Sequence, residues 1–253
     1  MVKLLYYTPL WLMARAIRQS HYNFHLSDTP QINSKAEYIC PLCGDDLVAS
    51  CDGYIACINP ECDYEIYREE DFIGAKDFDL IKRVGFHMNH SRVLESSLIT
   101  FNIKLSTKAL LEESTHKVGL TQVTTSSRYA LDIIDIEFEK TGDKKIDNFL
   151  ENYRQSVIEL IDSYRDEKGK IKKKDMDRLA MTLPQCFVYK TQLSFNLRSL
   201  VHFLELRTEK AAHETIRKMS FEIIEALPQQ YRELVFENKK IKENYQKHLE
   251  GRL

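Results

Sequence analysis

The sequence predicts a mixed α/β protein that carries a small cysteine-rich β unit. Several segments repeat apolar residues at the spacing of an amphipathic helix, and the longest covers residues 143–165. The segment from Leu98 to Lys104 alternates apolar and polar residues and is the clearest strand. Five cysteines lie between residues 40 and 62, and four of them form two short pairs, whereas the spacing of Cys51 fits neither pair. These observations predict helices and strands around one core, with a separate unit at the cysteines.

The cysteine unit has the spacing of a zinc site. It contains a Cys-x2-Cys pair and a Cys-x4-Cys pair with thirteen residues between them. Each pair can place two sulfurs on one tetrahedral ion, and a hairpin turning near Asp52-Gly53 would bring the pairs together. Four thiolates leave no open position on the metal, so we predict a structural zinc. The predicted ligands are Cys40, Cys43, Cys57 and Cys62.

Acidic residues dominate the charge of this unit. It is similar to a topoisomerase-type zinc ribbon, a class that often binds single-stranded nucleic acid through aromatic and basic residues. Repulsion between its carboxylates and phosphate makes nucleic acid an unexpected partner here. A sharper hypothesis is that the ribbon covers an active-site mouth or a subunit interface, because it follows the helix that bears Arg15 and Arg18.

The remaining elements are predicted in chain order. The first helix has Thr8 as N-cap and Pro9 as its first residue, with Arg15 and Arg18 on its polar face. Residues 28–39 form a polar linker. The other predicted elements are a strand at 64–67, helices at 76–90, about 107–115, about 192–206 and about 209–226, a helix–helix connection at 168–174, and a charged helical tail from 229.

Composition limits the class of protein. The chain has 253 residues, 43% of them apolar, which suffices for one large domain with a small insert. A net charge of −2 argues against a generally basic nucleic-acid binder. The longest apolar run falls far short of the roughly 20 residues that cross a bilayer, and the start lacks a signal-peptide pattern. We therefore expect a cytoplasmic protein with reduced cysteines and no membrane partner.

Two polar clusters in the second half are candidate binding sites. Ser126, Ser127 and Arg128 bring hydroxyls and a guanidinium together, which suits a phosphate, although an ordinary surface loop would look much the same. Asn196 and Arg207 are eleven residues apart, so a helix would place both on one face. Such a helix either caps a buried polar network or binds an anionic or heterocyclic ligand.

The chain resembles the flavin-dependent thymidylate synthases (ThyX). The resemblance covers roughly residues 1–27 and 74–226, so the cysteine unit is an insertion between them. It implies a domain of residues 1–30 and 71–253, with an inserted zinc ribbon at 31–70. The blocks that carry it are Leu4-Leu5-x-x-Thr8-Pro9-Leu10 with Ala14 to Arg18, His90 to Glu95 with the next strand, Ser126-Ser127-Arg128-Tyr129, and Leu183-Pro184 with Asn196 to Arg217.

This resemblance implies both fold and activity. The family fold is α/β (α+β), a central sheet flanked by long helices, assembled as a homotetramer with shared active sites. The family reduces FAD with NADPH and transfers a one-carbon unit from methylenetetrahydrofolate to C5 of dUMP. For this chain the implied substrate is dUMP or a related pyrimidine nucleotide. No enzyme cysteine attacks the pyrimidine, which agrees with Cys186 as a core residue.

The resemblance also assigns site residues by position. Ser126, Ser127 and Arg128 would hold the phosphate and sugar of the nucleotide. Arg207 would meet the edge of the pyrimidine, where a guanidinium stabilises developing enolate charge. Ser126 and Arg207 are the implied catalytic residues. The implied cofactor-binding residues are His90, Arg92, His116, Lys117, Asn196 and His202.

The family's Arg-His-Arg signature is rewritten in this chain. Counted back from Ser126, its positions fall on His116, Lys117 and Val118, or one residue earlier. Either register loses at least one arginine, and lysine does not reproduce bidentate contacts. Three readings stay open: a divergent enzyme with another pyrimidine nucleotide or transferred group, an ordinary thymidylate synthase with compensating residues, and a catalytically silent relative that binds a nucleotide or a partner.

Overall fold

The computed structural model describes residues 2–32, 39–40, 42–49, 55–66, 71–88, 90–113 and 118–252. The described chain is a mixed α/β fold with two sheets, which confirms the predicted class. The four-stranded sheet has the order β1-β5-β7-β6, and the small sheet has the order β2-β3-β4. The strands are β1 (Val2–Tyr7), β2 (Leu47–Ala49), β3 (Ile55–Cys57), β4 (Glu65–Ile66), β5 (Ile99–Ser106), β6 (Leu120–Thr124) and β7 (Val188–Phe195).

Helices make up most of the remaining structure. A π-helical turn at Arg83–His87 and a 3-10 turn at Ser91–Ser96 follow the second α-helix. Among the described residues, no helix is long and apolar enough to cross a membrane. The α-helices are α1 (Leu10–His21), α2 (Ala75–Lys82), α3 (Thr107–Glu113), α4 (Ser127–Ala130), α5 (Lys144–Ser163), α6 (Lys173–Ala180), α7 (Leu197–Arg207), α8 (Glu214–Ala226), α9 (Gln229–Val235) and α10 (Lys239–Leu249).

Three helix starts differ from the prediction. The helix predicted from about residue 209 begins only at Glu214. Pro9, rather than Thr8, is the N-cap of α1. The hydroxyl of Thr8 instead accepts a hydrogen bond from the backbone N–H of Leu98 at 2.9 Å. The helix predicted over 192–206 begins only at Leu197, because β7 continues through Phe195 and Asn196 caps the helix. The apolar residues at the end of β7 and at the start of α7 follow each other closely, so the sequence shows one continuous apolar segment and no boundary between the two elements.

One compact unit comprises Met1–Lys3, Asn102–Lys117 and Thr121–Leu193. In this unit α5 begins at its N-cap Asp143, whose side chain accepts from the N–H groups of Lys145 and Ile146. The predicted connection at 168–174 joins α5 to α6, as expected. Residues from these two helices and the segments beside them form its core: Leu131, Val157, Ile161, Ile171, Met176 and Leu179.

The second compact unit comprises Leu4–Phe101, Val118–Leu120 and Ser194–Leu253. It contains the cysteines, α1, α2 and the helices from α7 to α10. The charged tail predicted from residue 229 is in fact partly core, because Tyr231, Leu234, Val235 and Ile241 are all at most 1% exposed. Apolar residues at helical spacing lie among the charges of this segment and pack inward.

Candidate functional site

The four cysteine side chains converge on one point. All four Sγ atoms lie within 4.8 Å of one another. The two closest pairs are Cys43 with Cys57 at 3.4 Å and Cys40 with Cys62 at 3.7 Å. A tetrahedral zinc with sulfurs at about 2.3 Å separates those sulfurs by about 3.8 Å, whereas a disulfide joins sulfurs at about 2.05 Å. The cluster therefore fits a tetrahedral metal and does not fit disulfides.

Tight turns shape both cysteine pairs. Gly44 has φ +81°, which favours glycine, and its N–H donates to the Cys40 carbonyl at 2.9 Å. In the second turn, the Asn59 N–H donates to the Cys57 sulfur at 3.4 Å. The Asn59 amide also donates to Asp45 at 2.8 Å and so links the two turns. Hydrogen bonds to a ligand sulfur and between the turns that carry the ligands hold the cysteines in place for a metal. Cys51 and the predicted turn at Asp52-Gly53 lie outside the described residues.

The described residues of the ribbon contact the rest of their unit. The small core of the ribbon includes Cys40, Leu47, Ile55 and Tyr64, together with Phe72. Burial raises the pKa of the Cys40 thiol, so metal binding must displace its proton. Gln230 of α9 donates a hydrogen bond to the buried Tyr64 hydroxyl. The ribbon core is thus continuous with a helix near the C-terminus.

A buried polar network holds the two ends of the insertion. The Arg18 guanidinium donates to Asp77 at 2.8 and 2.7 Å, and both side chains are almost fully buried. The hydroxyls of Ser27 and Thr29 donate to the same carboxylate. Asp28 accepts from the backbone of the first turn of α2 at 2.7 and 3.1 Å. These groups leave little freedom at the base of the insertion.

Two sequence predictions fail at this network. Arg18 was expected on the polar face of α1 but is only 6% exposed. Residues 28–39 were expected to be a polar linker, yet Asp28 and Thr29 are buried. A run of three helix-capping side chains, Ser27-Asp28-Thr29, was the available signal. Its partner helix begins more than forty residues later, after the ribbon, so the pairing was not visible in a local pattern.

Asn196 lies at the N-terminus of α7 and caps it. Its side-chain oxygen accepts from the Ser199 N–H at 2.8 Å, and its own N–H donates to the Gly119 carbonyl at 3.2 Å. The predicted shared face is therefore only partly formed, since Asn196 precedes the helix and Phe203 is buried. Arg207 is half-buried in the last turn. The capping role is therefore observed, and the ligand-binding role of Asn196 stays a prediction.

The other cofactor-assigned segment packs against α7. The 3-10 turn at Ser91–Ser96 contacts this helix, and Glu95 pairs with Arg198 at 2.6 Å. His90, Arg92 and His202 are all exposed. The structure therefore brings together the two segments that carry His90, Arg92, Asn196 and His202. His116 and Lys117, the remaining cofactor assignments, lie outside the described residues.

The nucleotide-assigned residues surround the start of α4. Ser126 is its N-cap, and Ser126 and Arg128 are exposed. The Arg128 Nε donates to Asp177 of α6 at 2.9 Å. Lys173 of the same helix places its ammonium 4.8 Å from the centre of the Tyr129 ring. Neither Lys173 nor Asp177 is predicted from the sequence, because their contacts with α4 depend on the packing of two helices that are far apart in the chain.

A small cavity lies beside this cluster. It measures about 40 Å³, and its lining includes Lys104, Thr125, Glu137 and Lys190. None of the assigned site residues lines it, although Thr125 directly precedes Ser126. The Lys104–Glu137 ion pair, at 2.5 Å, neutralises two of the lining charges. The cavity is too small for a nucleotide.

Fold and site together define a class: a mixed α/β scaffold of the flavin-dependent thymidylate synthase type, interrupted by a four-cysteine ribbon. The chain belongs to the Thy1 family, described as thymidylate synthase complementing protein, whose family model matches residues 4–231. The family resemblance inferred from the sequence is confirmed. The ribbon falls between the first and last residues of this match.

Individual relatives agree with this assignment. The chain is 33% identical to a flavin-dependent thymidylate synthase of Wolinella succinogenes over 181 residues, which is 68% of this chain and 86% of that protein. It is 30% identical to the Campylobacter jejuni enzyme of the same description, over 69% of this chain and 86% of that protein. Its fold is similar to the crystal structure of ThyX from Helicobacter pylori with FAD and dUMP. That match has a TM-score of 0.63 and 23% identity, and it covers 96% of this chain and 99% of the other.

Proposed function

We propose that this protein is a divergent flavin-dependent enzyme that transfers a one-carbon unit to C5 of a pyrimidine nucleotide, dUMP or a close relative. FAD, NADPH and methylenetetrahydrofolate are its proposed cofactor and co-substrates. The observation that carries the proposal is family membership over residues 4–231, from the first strand to α9. The Helicobacter pylori neighbour was crystallised with FAD and dUMP, which makes these two ligands the first to test.

The nucleotide-binding residues are proposed as Ser126, Ser127, Arg128 and Arg207. Two hydroxyls and a guanidinium at the start of α4 can donate to phosphate oxygens. The Arg207 guanidinium can donate to a pyrimidine carbonyl and stabilise negative charge that develops when C5 becomes nucleophilic. Ser126 and Arg207 are the proposed catalytic residues.

The proposed FAD-binding residues fit an anionic, carbonyl-rich cofactor. His90, Arg92, His202 and the Asn196 amide supply hydrogen-bond donors on two segments that contact each other. FAD, when bound, would supply the reducing electrons that it receives from NADPH. The protein's part is to bind and orient the cofactor and the nucleotide. His116 and Lys117 are proposed as further cofactor contacts at the rewritten signature.

Zinc is proposed to bind Cys40, Cys43, Cys57 and Cys62 as a structural metal. The sulfur separations support a tetrahedral ion, and four protein ligands leave no position for substrate. The ribbon at residues 31–70 is too small to fold stably without such a link. Thiolates need a reducing compartment, so the proposed location is the cytoplasm.

A homotetramer with shared active sites is the proposed assembly. Helix α5 leaves a row of large apolar side chains on its outer face, which suits burial against another copy of this chain. Replacing two residues of this row by charged residues should lower the particle mass measured by light scattering. Replacing exposed charged residues on α10 should leave that mass unchanged. The exposed apolar residues of this row are Ile146, Phe149, Tyr153 and Leu160 of α5 and Tyr164, its C-cap.

Purified protein tests the enzymatic proposal directly. We expect it to bind FAD, to oxidise NADPH when dUMP and methylenetetrahydrofolate are present, and to rescue a thymidine auxotroph. Arg207→Gln should abolish turnover, whereas Lys218→Gln, at an exposed position on α8, should retain it. Turnover of another pyrimidine nucleotide in place of dUMP would identify the divergent enzyme. Protein that binds nucleotide but takes up no FAD would contradict the proposal and support the catalytically silent reading.

A further inference from the structure

A series of hydrogen bonds, linked through neighbouring residues of the backbone, leads from the cysteine ribbon to the N-terminus of α7. It starts at Tyr64, whose ring packs in the same small core as Cys40 and is 1% exposed. The Gln230 amide donates to the Tyr64 hydroxyl, and Gln230 is itself buried. Because Tyr64 belongs to the core that the metal would close, its position depends on the integrity of the ribbon.

The second step crosses from α9 to the residue that precedes α1. Tyr231, the neighbour of Gln230, is 1% exposed and donates from its hydroxyl to the Thr8 carbonyl. Thr8 forms two hydrogen bonds of 2.9 Å with the backbone of Leu98, one through its N–H and one through its hydroxyl oxygen. Displacement of α9 would therefore move the segment at residues 97–98.

The third step reaches the proposed flavin site. Ser97 is buried, and its hydroxyl accepts from the Leu197 N–H at 2.8 Å while donating to the Leu94 carbonyl at 2.9 Å. Leu94 belongs to the 3-10 turn that carries Arg92, and Leu197 is the first residue of α7 after Asn196. One serine thus fixes the spacing between the two segments that carry the proposed FAD donors.

We propose that the metal-closed ribbon positions the FAD site, so that zinc binding and FAD binding are thermodynamically coupled. Tyr64, Gln230 and Ser97 act as positioning residues, and none of them needs to contact the cofactor. This inference rests on the proposed function, because it assumes that Arg92 and Asn196 bind FAD. Coupling of this kind is reciprocal: zinc strengthens FAD binding, and FAD strengthens zinc binding by the same equilibrium factor.

Titrations of FAD into the full chain, zinc-loaded and zinc-stripped, test the coupling. We expect stripping to weaken FAD binding about tenfold, measured by flavin fluorescence. At equilibrium, a higher concentration of a chromophoric chelator should be needed to remove half of the zinc when FAD is bound. Equal FAD affinity in the two forms, with circular dichroism showing both folded, would overturn the inference. Absence of FAD binding by the zinc-loaded chain would instead contradict the proposed function itself.

A matched pair of variants separates coupling from loss of folding. Gln230→Leu removes the bond to Tyr64 while all four cysteines remain. Gln229→Leu changes the adjacent residue, whose amide donates to Glu233 within its own helix at 3.3 Å. We expect zinc-loaded Gln230→Leu to bind FAD several-fold more weakly and to lose the effect of FAD on zinc retention. Gln229→Leu should match the parent chain. If the zinc-stripped chain unfolds, the comparison of these two variants tests the inference instead. Identical FAD affinity and identical zinc retention in the two variants would overturn it.

Discussion

Arg128 and Asp177 form an ion pair, with the Arg128 Nε 2.9 Å from Asp177 Oδ1. The guanidinium proposed to bind the nucleotide phosphate therefore already has an anionic partner. Both side chains are about half exposed, so the pair contributes little to stability and is open to exchange. A phosphate carries more charge than a carboxylate and can replace Asp177, but the displaced carboxylate remains close and opposes it.

Asp177→Asn should strengthen dUMP binding by roughly two- to fivefold, because it removes that opposing charge. Deoxyuridine, which lacks the phosphate, should bind the variant and the parent equally. Isothermal titration with both ligands measures the difference. Asp175→Asn is a matched control on the same helix, since Asp175 pairs with Arg178 rather than Arg128. Weaker dUMP binding by Asp177→Asn would mean that Asp177 orients the guanidinium instead of competing for it.

The cysteine cluster shows what the sequence could predict. Its ligand spacing encodes a local geometry, because two cysteines on one tight turn can reach a single ion whatever surrounds them. The four sulfurs accordingly converge. The family resemblance likewise rests on long local blocks, such as the segment from Asn196 to Arg207. Site roles remain proposals, since the resemblance assigns them by position alone.

The Arg18–Asp77 pair shows what the sequence could not predict. An arginine on a helix with a clear apolar face is usually solvated, and here the partner lies 59 residues away, beyond the ribbon. The same holds for Asp177, whose importance depends on how α6 packs on α4. A polar pair between residues distant in the sequence produces no periodic pattern, so it cannot be recognised from a local stretch of sequence.

Breaking the buried Arg18–Asp77 pair should strongly destabilise the protein. Arg18→Met would leave the Asp77 carboxylate buried without its cation, at a cost of about 3–5 kcal/mol in free energy of unfolding. Arg15→Met, on the exposed face of the same helix, should cost less than about 0.5 kcal/mol. Urea unfolding measures both. A loss below about 1 kcal/mol for Arg18→Met would mean that the hydroxyls of Ser27 and Thr29 suffice to stabilise the carboxylate.

Gly119 should tolerate no side chain. It has φ +69°, and a Cβ built there would overlap Ser199 Oγ and Asn196 Nδ2. Gly142 is the matched control, because it has φ +82° and open space around its Cα. Gly142→Ala should lose only the stability that a left-handed backbone costs a residue with a Cβ, about 1–2 kcal/mol in free energy of unfolding. Gly119→Ala should lose more and should also weaken FAD binding, because Asn196 must move.

Thermal unfolding and FAD titration of both glycine variants check this prediction. A larger loss of stability for Gly119→Ala, accompanied by weaker FAD binding, supports a role of Asn196 in the cofactor site. Equal losses in the two variants would show that Ser199 and Asn196 adjust at no cost. Loss of stability with unchanged FAD affinity would remove Asn196 from the proposed FAD donors.

Glu233 should make stability fall as pH rises. Burial raises the pKa of its carboxyl, and the nearby Lys82 and a hydrogen bond from Gln229 only partly oppose this shift. The folded state therefore favours the protonated form, which contributes stability at low pH that is lost as pH rises through the raised pKa.

Glu233→Gln mimics the protonated form permanently. The variant should match the parent in acid and become the more stable protein as pH increases above the ordinary carboxyl range of about 4.3. Urea unfolding from about pH 4 to pH 8 measures the divergence, with Glu243→Gln, at an exposed position on α10, as control. A constant difference across this range would show that the pKa of Glu233 is the same in the folded and unfolded states, so that its favourable interactions offset the cost of burial.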